Sequence, residues 1–512
     1  MNKIIKRVIA CTIISMIVLA TVFMNINNGS EGIIANNTKA VAATVSKTPK
    51  YVFLFIGDGM SYPQIQAASD YLGAVSQPKD SEILSGNKYL NFMKFPIAGS
   101  AVTYDSSSFC PDSASTATSL STGNKTYSGT INMDETKKIT YETITEKLKE
   151  QKDYKIGIIS TVNINHATPA AFYAHQASRN NYYEIGLEMI NSNFDYFAGG
   201  ALKNTIGNDK TKPQTDIYEL AEKSGYKVIK TQKEAEKLTA GDGKAIVIGE
   251  TLVDGDSLSY ANDVKSNEWE LKDYVEKGIE VLENDKGFFM MVEGGKIDWA
   301  CHANDAGSTI ADVIALDEAI NEAIEFYKKH SSETLIIVTG DHETGGLTIG
   351  YAGTDYDTYL TNLSNQKISY AKFDSNYVKK YKENKTSFND VLSDVKANFG
   401  LLTQDDKDAA KNPKLVLTPY EYDQLKAAYD KTMSAASTDR NQEEYILYGT
   451  YEPLTVTITH LLNNKSGINF ASYAHTGFPV GVFAKGKGAS LFEGYYDNTK
   501  IYDNLAKLLK VK

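Results

Sequence analysis

Tyr51-Val52-Phe53-Leu54-Phe55-Ile56-Gly57-Asp58-Gly59-Met60 decides how this 512-residue chain is read. Six consecutive apolar side chains without polar alternation do not suit a sheet with one wet face, so the run predicts a strand buried on both faces. Asp58 then stands just beyond the strand's carboxyl end. Four similar runs follow: Ile156 to Ser160, Phe288 to Val292, Leu335 to Thr339 and Val480 to Ala484. Helical patterns lie between them, such as the stripe Ile310, Val313, Ile314, Leu316, Ile320 and Ile324, which closes on Lys328-Lys329-His330. Buried strands alternating with amphipathic helices predict an α/β fold, a mostly parallel central sheet flanked by helices on both faces.

In open α/β sheets, functional groups gather beyond the carboxyl ends of the strands. Here those ends read Gly57-Asp58-Gly59, Glu293-Gly294-Gly295 and Gly340-Asp341-His342-Glu343, so carboxylates and an imidazole converge on one edge. Asp298 and His302 are four residues apart, which puts both on one face of a helical turn and suits a divalent metal. For an isolated pair, a surface acid near a helix-terminal histidine is the commoner explanation. Asp341 and His342 can converge if the backbone turns, which Gly340 and Gly345-Gly346 permit; otherwise Asp341 caps a helix. His475, in Tyr473-Ala474-His475-Thr476-Gly477, taken alone is an ordinary loop histidine. The chain has only seven histidines, however, and three of them, His302, His342 and His475, lie near proposed strand ends or starts. The first two have carboxylates beside them, which favours a two-metal centre.

Ser113 lies in Cys110-Pro111-Asp112-Ser113-Ala114-Ser115, a small-residue stretch suited to a helix start, where backbone amides favour bound phosphate. A metal bound to its oxygen would make it a nucleophile without a histidine base; the plainer role is an N-cap. Arg179 offers the fork that matches phosphoryl oxygens, or else a surface ion pair.

In chain order from Asp58 to His475, these residues resemble the alkaline phosphatase family. The resemblance implies hydrolysis of phosphate monoesters through a phosphoserine at Ser113, with Arg179 holding the phosphoryl oxygens and Asp112 positioning that arginine. It implies a first zinc on Asp298, His302 and His475, a second on Asp58, Asp341 and His342, and a magnesium on Asp58, Glu293 and Thr168. The chain carries His166 and Trp299 where some bacterial members carry Asp and Lys beside the third metal and the phosphate. Both therefore belong to the expected substrate-binding set, and the identity of the third ion is left open. His175, His330 and His460 match no family role and are assigned to structure. One rival is a phosphodiesterase or sulfatase of the same superfamily, although the Cys/Ser-x-Pro-x-Arg signature of sulfatases is missing around Cys110-Pro111. Another is a noncatalytic surface phosphate or metal binder, against which the presence of both Ser113 and Arg179 speaks.

Lys3, Lys6 and Arg7 followed by the apolar run Val8 to Met24 form a secretion-type start. Removal near Ala40-Val41-Ala42 and retention as an anchor are the two expectations, which divide the chain into 1–42 and a catalytic region 43–512. The acylation-like Val8-Ile9-Ala10-Cys11 follows too short an apolar stretch. The protein is expected to be secreted or held at the cell surface, with membrane contact only through this segment if it is uncleaved. A net charge of -11 argues against a nucleic-acid-binding surface. Of three cysteines, Cys11 lies in the signal, which leaves Cys110 and Cys301 as candidates for a single pair and excludes a disulfide framework. From 351 to 464 the composition shifts to Tyr, Asn, Lys and Asp, as in an accessory insertion that shapes substrate access or packs against a second subunit in a homodimer. No internal repeat, nucleotide-binding glycine fingerprint or second membrane-length apolar segment occurs.

Overall fold

The run that opens the chain's readable core forms β1 (Tyr51–Gly57), buried along its whole length. The computed structural model describes residues 48–77, 86–209, 211–434 and 440–512; the expected signal or anchor at 1–42 lies outside them. With β1 run β2 (Ile97–Val102), β3 (Lys155–Asn163), β4 (Tyr196–Gly200), β5 (Lys227–Ile229) and β6 (Ala245–Ile248). Then come β7 (Phe288–Gly294), β8 (Thr334–Gly340), β9 (Val480–Gly486) and β10 (Gly494–Asp497). Across the ten-stranded sheet the order is β10-β2-β9-β8-β1-β7-β3-β4-β6-β5. Only β9 runs against its neighbours; the rest are parallel.

Register matters most for function. Tyr51 lies opposite Phe288 and Thr334, and Gly57 opposite Gly294 and Gly340. Three neighbouring strands therefore end in line, and the residues after them emerge at one level.

Successive side chains of a strand point to opposite faces, and this alternation divides the core. Tyr51, Phe53 and Phe55 join Met290, Ile336 and Val338 on one face. That face is covered by α1 (Tyr62–Val75), and the opposite face by α2 (Ser113–Thr122). The first face also receives α3 (Leu271–Leu282), the short α4 (Lys296–His302) through Ile297, and α5 (Ala306–Lys329). The expected stripe from Ile310 to Ile324 lies within α5. α6 (Pro453–Ser466) contributes Leu454 and Ile458 to the same face. Val52, Leu54 and Ile56 meet Phe289, Met291 and Ile337 on the other face, where α7 (Thr499–Leu509) packs. Each such side chain contributes about 1.5–3 kcal/mol on burial, so the strand-end geometry rests on two large, independent cores.

Between β8 and β9 the chain leaves the sheet. Residues 360–466 are helical or irregular among the described residues, and Phe373, Val391, Phe399 and Leu425 attach them to the first face's core. No helix of the described residues is long and apolar enough to cross a membrane.

Candidate active site

Asp58 follows β1 directly, Asp341 and His342 follow β8, and Glu293 is the penultimate residue of β7. After β7 the chain turns into α4, whose single face carries Asp298 and His302. His475 comes from far along the chain, on a short strand, His475–Thr476, paired antiparallel with Glu343–Thr344. Glu343 fastens this pairing. Its buried carboxylate accepts from Gln64 Nε2 at 2.6 Å, from the amides of Gly346 and Leu347 at 3.0 and 3.2 Å, and from the Thr476 hydroxyl. The expected turn is present: Gly345 and Gly346 have φ of 88° and 60°, a region L side chains rarely adopt.

Two ligand clusters result. Asp298 Oδ1 lies 3.3 Å from His302 Nε2 and 3.6 Å from His475 Nε2, and the two Nε2 atoms are 3.1 Å apart. His342 Nε2 lies 3.2 Å from Asp58 Oδ1 and 3.4 Å from Asp341 Oδ2. The His342 ring stacks on His475 with centroids 3.7 Å apart, so the clusters adjoin; Asp298, His342 and His475 also offer atoms within 4.8 Å of one another. The outer ring nitrogens support a ligand role. His302 Nδ1 is 2.6 Å from the Tyr473 carbonyl and His475 Nδ1 is 2.5 Å from that of Pro111. A carbonyl only accepts, so each Nδ1 carries the proton and each Nε2 lone pair faces the cluster, the arrangement typical of metal-bound histidine.

A third group adjoins Asp58. Thr168 Oγ1 donates to Asp58 Oδ2 at 3.2 Å, and Glu293 faces both residues. One Glu293 oxygen accepts from the Ser160 hydroxyl, while the other is buried with no hydrogen-bond partner among the described residues. A buried, unpartnered carboxylate oxygen beside other hard oxygens fits a magnesium-like ion. His166 Nδ1 is likewise buried without a partner.

Electrostatics agree with the geometry. Burial raises the Asp58 carboxyl well above its ordinary range, and the charges of Asp341, Asp298 and Glu293 raise it further. Burial pushes Glu293 and Asp341 up to about 7. Burial works against charge on Asp298 too, but the polar imidazoles around it and the Thr344 hydroxyl, which donates to its Oδ1 at 2.5 Å, hold it below the usual carboxylate range. Burial pulls His342 and His475 down to about 4, so both rings are neutral at neutral pH and their short carboxylate contacts are not ion pairs. Imidazole nitrogens among crowded carboxylates are the donor set that a divalent cation binds.

Ser113 opens α2, with Asp112 as its N-cap accepting from the Ser115 amide. The Ser113 hydroxyl lies 3.4 Å from Asp58 Oδ1 and 3.0 Å from His342 Nε2. Asp112 Oδ2 also accepts from Arg179 NH1 at 2.8 Å. Burial opposes charge on Asp112, but Arg179 together with the backbone amides of Gly129 and Ser115 outweighs it, so this carboxyl sits below its ordinary value. Arg179 NH2 is 3.4 Å from His166 Nε2, and the His166 ring meets the Trp299 ring edge-on at 5.9 Å. A cleft of 390 Å³ is lined by Ser113, His166, Arg179, Asp298, Trp299, His302, His475, Tyr370 and Tyr451.

Tyr370 and Tyr451 were not individually legible in sequence, nor was Lys296. The Lys296 side chain is fully buried, its ammonium 3.2 Å from Asp254, 4.0 Å from the centre of the Tyr260 ring and 4.4 Å from that of Trp299. Lysine at the start of a helix gives no hint of such burial. The three histidines assigned to structure lie outside the clusters. His175 contacts Glu146 and Glu188, His460 pairs with Asn304, and His330 stacks on Phe326. The candidate cysteine pair is not formed: Cys110 is exposed and free, whereas Cys301 is buried and free, with Gln64 and Thr309 around its sulfur.

Comparisons with known proteins carry the same message. Residues 49–511 match the family described as alkaline phosphatase. Alkaline phosphatase 4 of Bacillus subtilis is 31% identical over 471 residues, covering 90% of this chain and 88% of that protein. A cold-active alkaline phosphatase from the psychrophile Shewanella sp. shares the structure with a TM-score of 0.71 at 26% identity, covering 90% of this chain and 99% of the other. A histidine-to-aspartate variant of the alkaline phosphatase from TAB5, with Mg bound in its M3 site, superposes with a TM-score of 0.59 at 25% identity, covering 91% and 99%. Matches over nearly the whole described region and a shared architecture, together with a converging ligand cage, place the chain in the alkaline phosphatase family, as an enzyme that hydrolyses phosphate monoesters.

Proposed function

We propose that the reaction is a double displacement at Ser113, served by two zinc ions and one magnesium. In this reading Asp298, His302 and His475 hold the first zinc, and Asp58, Asp341 and His342 hold the second. Asp58, Glu293 and Thr168 hold the magnesium. The bound ions would lower the proton affinity of the serine hydroxyl and offset charge on the phosphoryl and leaving oxygens.

The chain's own residues do the rest. Arg179, oriented by Asp112, takes two phosphoryl oxygens in its fork, and the free amides at the start of α2 add to that field. Ser113 Oγ bonds to phosphorus as the ester oxygen departs with the alcohol. Water then attacks the phosphoserine, the bond from phosphorus to Oγ breaks, and inorganic phosphate leaves. His166 and Trp299 wall the phosphoryl pocket without adding a fixed positive charge: burial, with Arg179 nearby, pulls His166 down to about 3, so it is neutral. A histidine-to-aspartate variant of the TAB5 enzyme holds Mg in its M3 site, which supports assigning magnesium to the third site here. Export through the basic and apolar start of the chain belongs to the same reading.

The observation that carries the proposal is the Ser113 hydroxyl lying within hydrogen-bond range of both Asp58 and His342. The test is acid-quenched mass spectrometry of the Ser113 peptide during turnover of an aryl phosphate, alongside Ser113→Ala and a chelator-treated sample. Phosphate on that peptide, with turnover lost in both controls, is expected. An active Ser113→Ala enzyme, or phosphate on another residue, overturns it.

A further inference from the structure

Among the groups lining the cleft, Ser113, Arg179 and His166 face the phosphoryl group in the reading above, Asp298, His302 and His475 face a cation, and Trp299 borders the phosphate. Two tyrosines from the region after β8 remain. Their phenols differ in one respect. The Tyr370 hydroxyl is engaged with that of Tyr260 at 2.9 Å, and Tyr260 also donates to Asp254 at 2.8 Å. The Tyr451 hydroxyl donates to no protein atom among the described residues, although its ring is partly buried at the cleft wall.

Tyr451 is held in place. Its ring meets Tyr370 edge to face at 5.7 Å and 86°, and Tyr473 at 6.1 Å. Tyr473 is itself tied down, its hydroxyl donating to the Leu447 carbonyl at 2.6 Å. The backbone is clamped by Arg440, which donates to the carbonyls of Tyr448, Gly449 and Tyr451. A rigid aromatic ring with an unspent donor loses little entropy on binding and specifies an acceptor. A phenol is protonated at ordinary pH, so it can donate throughout the working range.

We propose that Tyr451 is a specificity-determining residue that hydrogen-bonds a hydroxyl of the departing alcohol, so that the enzyme favours esters of polyhydroxy alcohols over those of plain alkyl alcohols. This rests on the double-displacement reading and extends it from the phosphoryl group, common to all substrates, to the leaving group. Sites that spend a buried donor on a substrate hydroxyl discriminate against analogues lacking it.

Glycerol 1-phosphate and propyl phosphate share a carbon skeleton and differ in hydroxyls, so the ratio of their kcat/KM values isolates the contact. With the full chain loaded with zinc and magnesium, Tyr451→Phe should lower that ratio about 3- to 10-fold, the loss of one neutral hydrogen bond. Inhibition by inorganic phosphate, which has no leaving group, should stay unchanged, and so should the melting temperature, because phenylalanine keeps the ring packing. An unchanged ratio, or a fall accompanied by an equal change in phosphate inhibition, overturns the proposal. Ser113→Ala measured on the same pair separates the two readings, since residual turnover there would sink the serine mechanism and leave the Tyr451 ratio interpretable.

Discussion

Replacing Asp58 with Asn should change stability in opposite directions with and without metal. One oxygen each of Asp58 and Asp341 lies within 4.8 Å of the other. Two unit charges at that separation repel by about 3.5 kcal/mol at an effective dielectric of about 20. The metal-stripped protein carries this strain wherever both groups are ionised, and asparagine removes it while keeping the shape and an acceptor for Thr168. For a domain this large, relief of that size raises Tm by roughly 2–5 °C. With zinc bound, the same change removes an anionic ligand, and every tenfold loss of affinity lowers the ligand-linked stabilisation by about 1.4 kcal/mol. The order of melting temperatures should therefore invert. The pH dependence has a definite sign. Burial holds Asp341 and Glu293 at about 7, above their ordinary values. Raised carboxyls favour the protonated fold, so the contribution of these two groups to the stripped protein's stability is fully present below about pH 4 and is lost as pH rises through about 7. Asp58→Asn should flatten that decline. Differential scanning calorimetry of chelator-treated and zinc-reloaded samples, scanned from below about pH 4 to well above about pH 7, where both carboxyls are ionised, reads all of it. If stripped Asp58→Asn melts below stripped wild type and zinc raises both equally, Asp58 does not belong to a cation cage.

Arg179→Lys keeps the charge but loses the fork on phosphate and its geometry against Asp112; kcat/KM for an aryl phosphate should fall roughly 10- to 100-fold, and steady-state kinetics showing less than a twofold change would remove Arg179 from the phosphoryl site. Lys296→Met removes a buried ammonium from between Tyr260 and Trp299 and leaves the half-buried Asp254 only the Tyr260 hydroxyl; a loss of about 1–3 kcal/mol in denaturant unfolding is expected. In a Trp269→Phe background the emission of Trp299 should shift as its neighbouring cation disappears, and an unaltered spectrum would count against the contact.

The legible part of the fold is the part buried on both faces. β1, β7 and β8 announce themselves because a strand covered by helices above and below needs apolar side chains without interruption. β5, with three residues, and β10, Gly494-Tyr495-Tyr496-Asp497, lie at the sheet's edges and are partly exposed, so they carry no such run. β2 was hidden for another reason. Gly99 interrupts its apolar run, and a Cβ there would come within 2.3 Å of the Phe492 carbonyl, so the glycine reflects a close approach that the sequence alone does not show. In the site, Asp58 and Asp341 followed from the strand-end rule and Asp298 with His302 from helical spacing. Thr168 rested on resemblance alone, because nothing about an isolated threonine marks it. Tyr451 was invisible: in a Tyr-rich stretch no single ring stands out, and its free hydroxyl is a property of neighbours distant in sequence.

This difference in legibility follows a physical division of labour. The carboxylates sit at the ends of central strands whose register is enforced by two cores, so displacing Asp58 relative to Asp341 means sliding β1 against β8 and flipping every buried side chain between faces. His475 is added to that frame after the long excursion from the sheet, and Glu343 locks it there through bonds to three separate segments. The rim is different, since Tyr370 and Tyr451 reach the cleft from helices and loops that join only one face of the core. Substitutions in that region can reshape the cleft's outer wall without disturbing the distance from Ser113 to Asp58. Chemistry built on the sheet and discrimination carried by the excursion can then vary independently, which is why preference for the alcohol should respond to Tyr451 while attack on phosphorus does not.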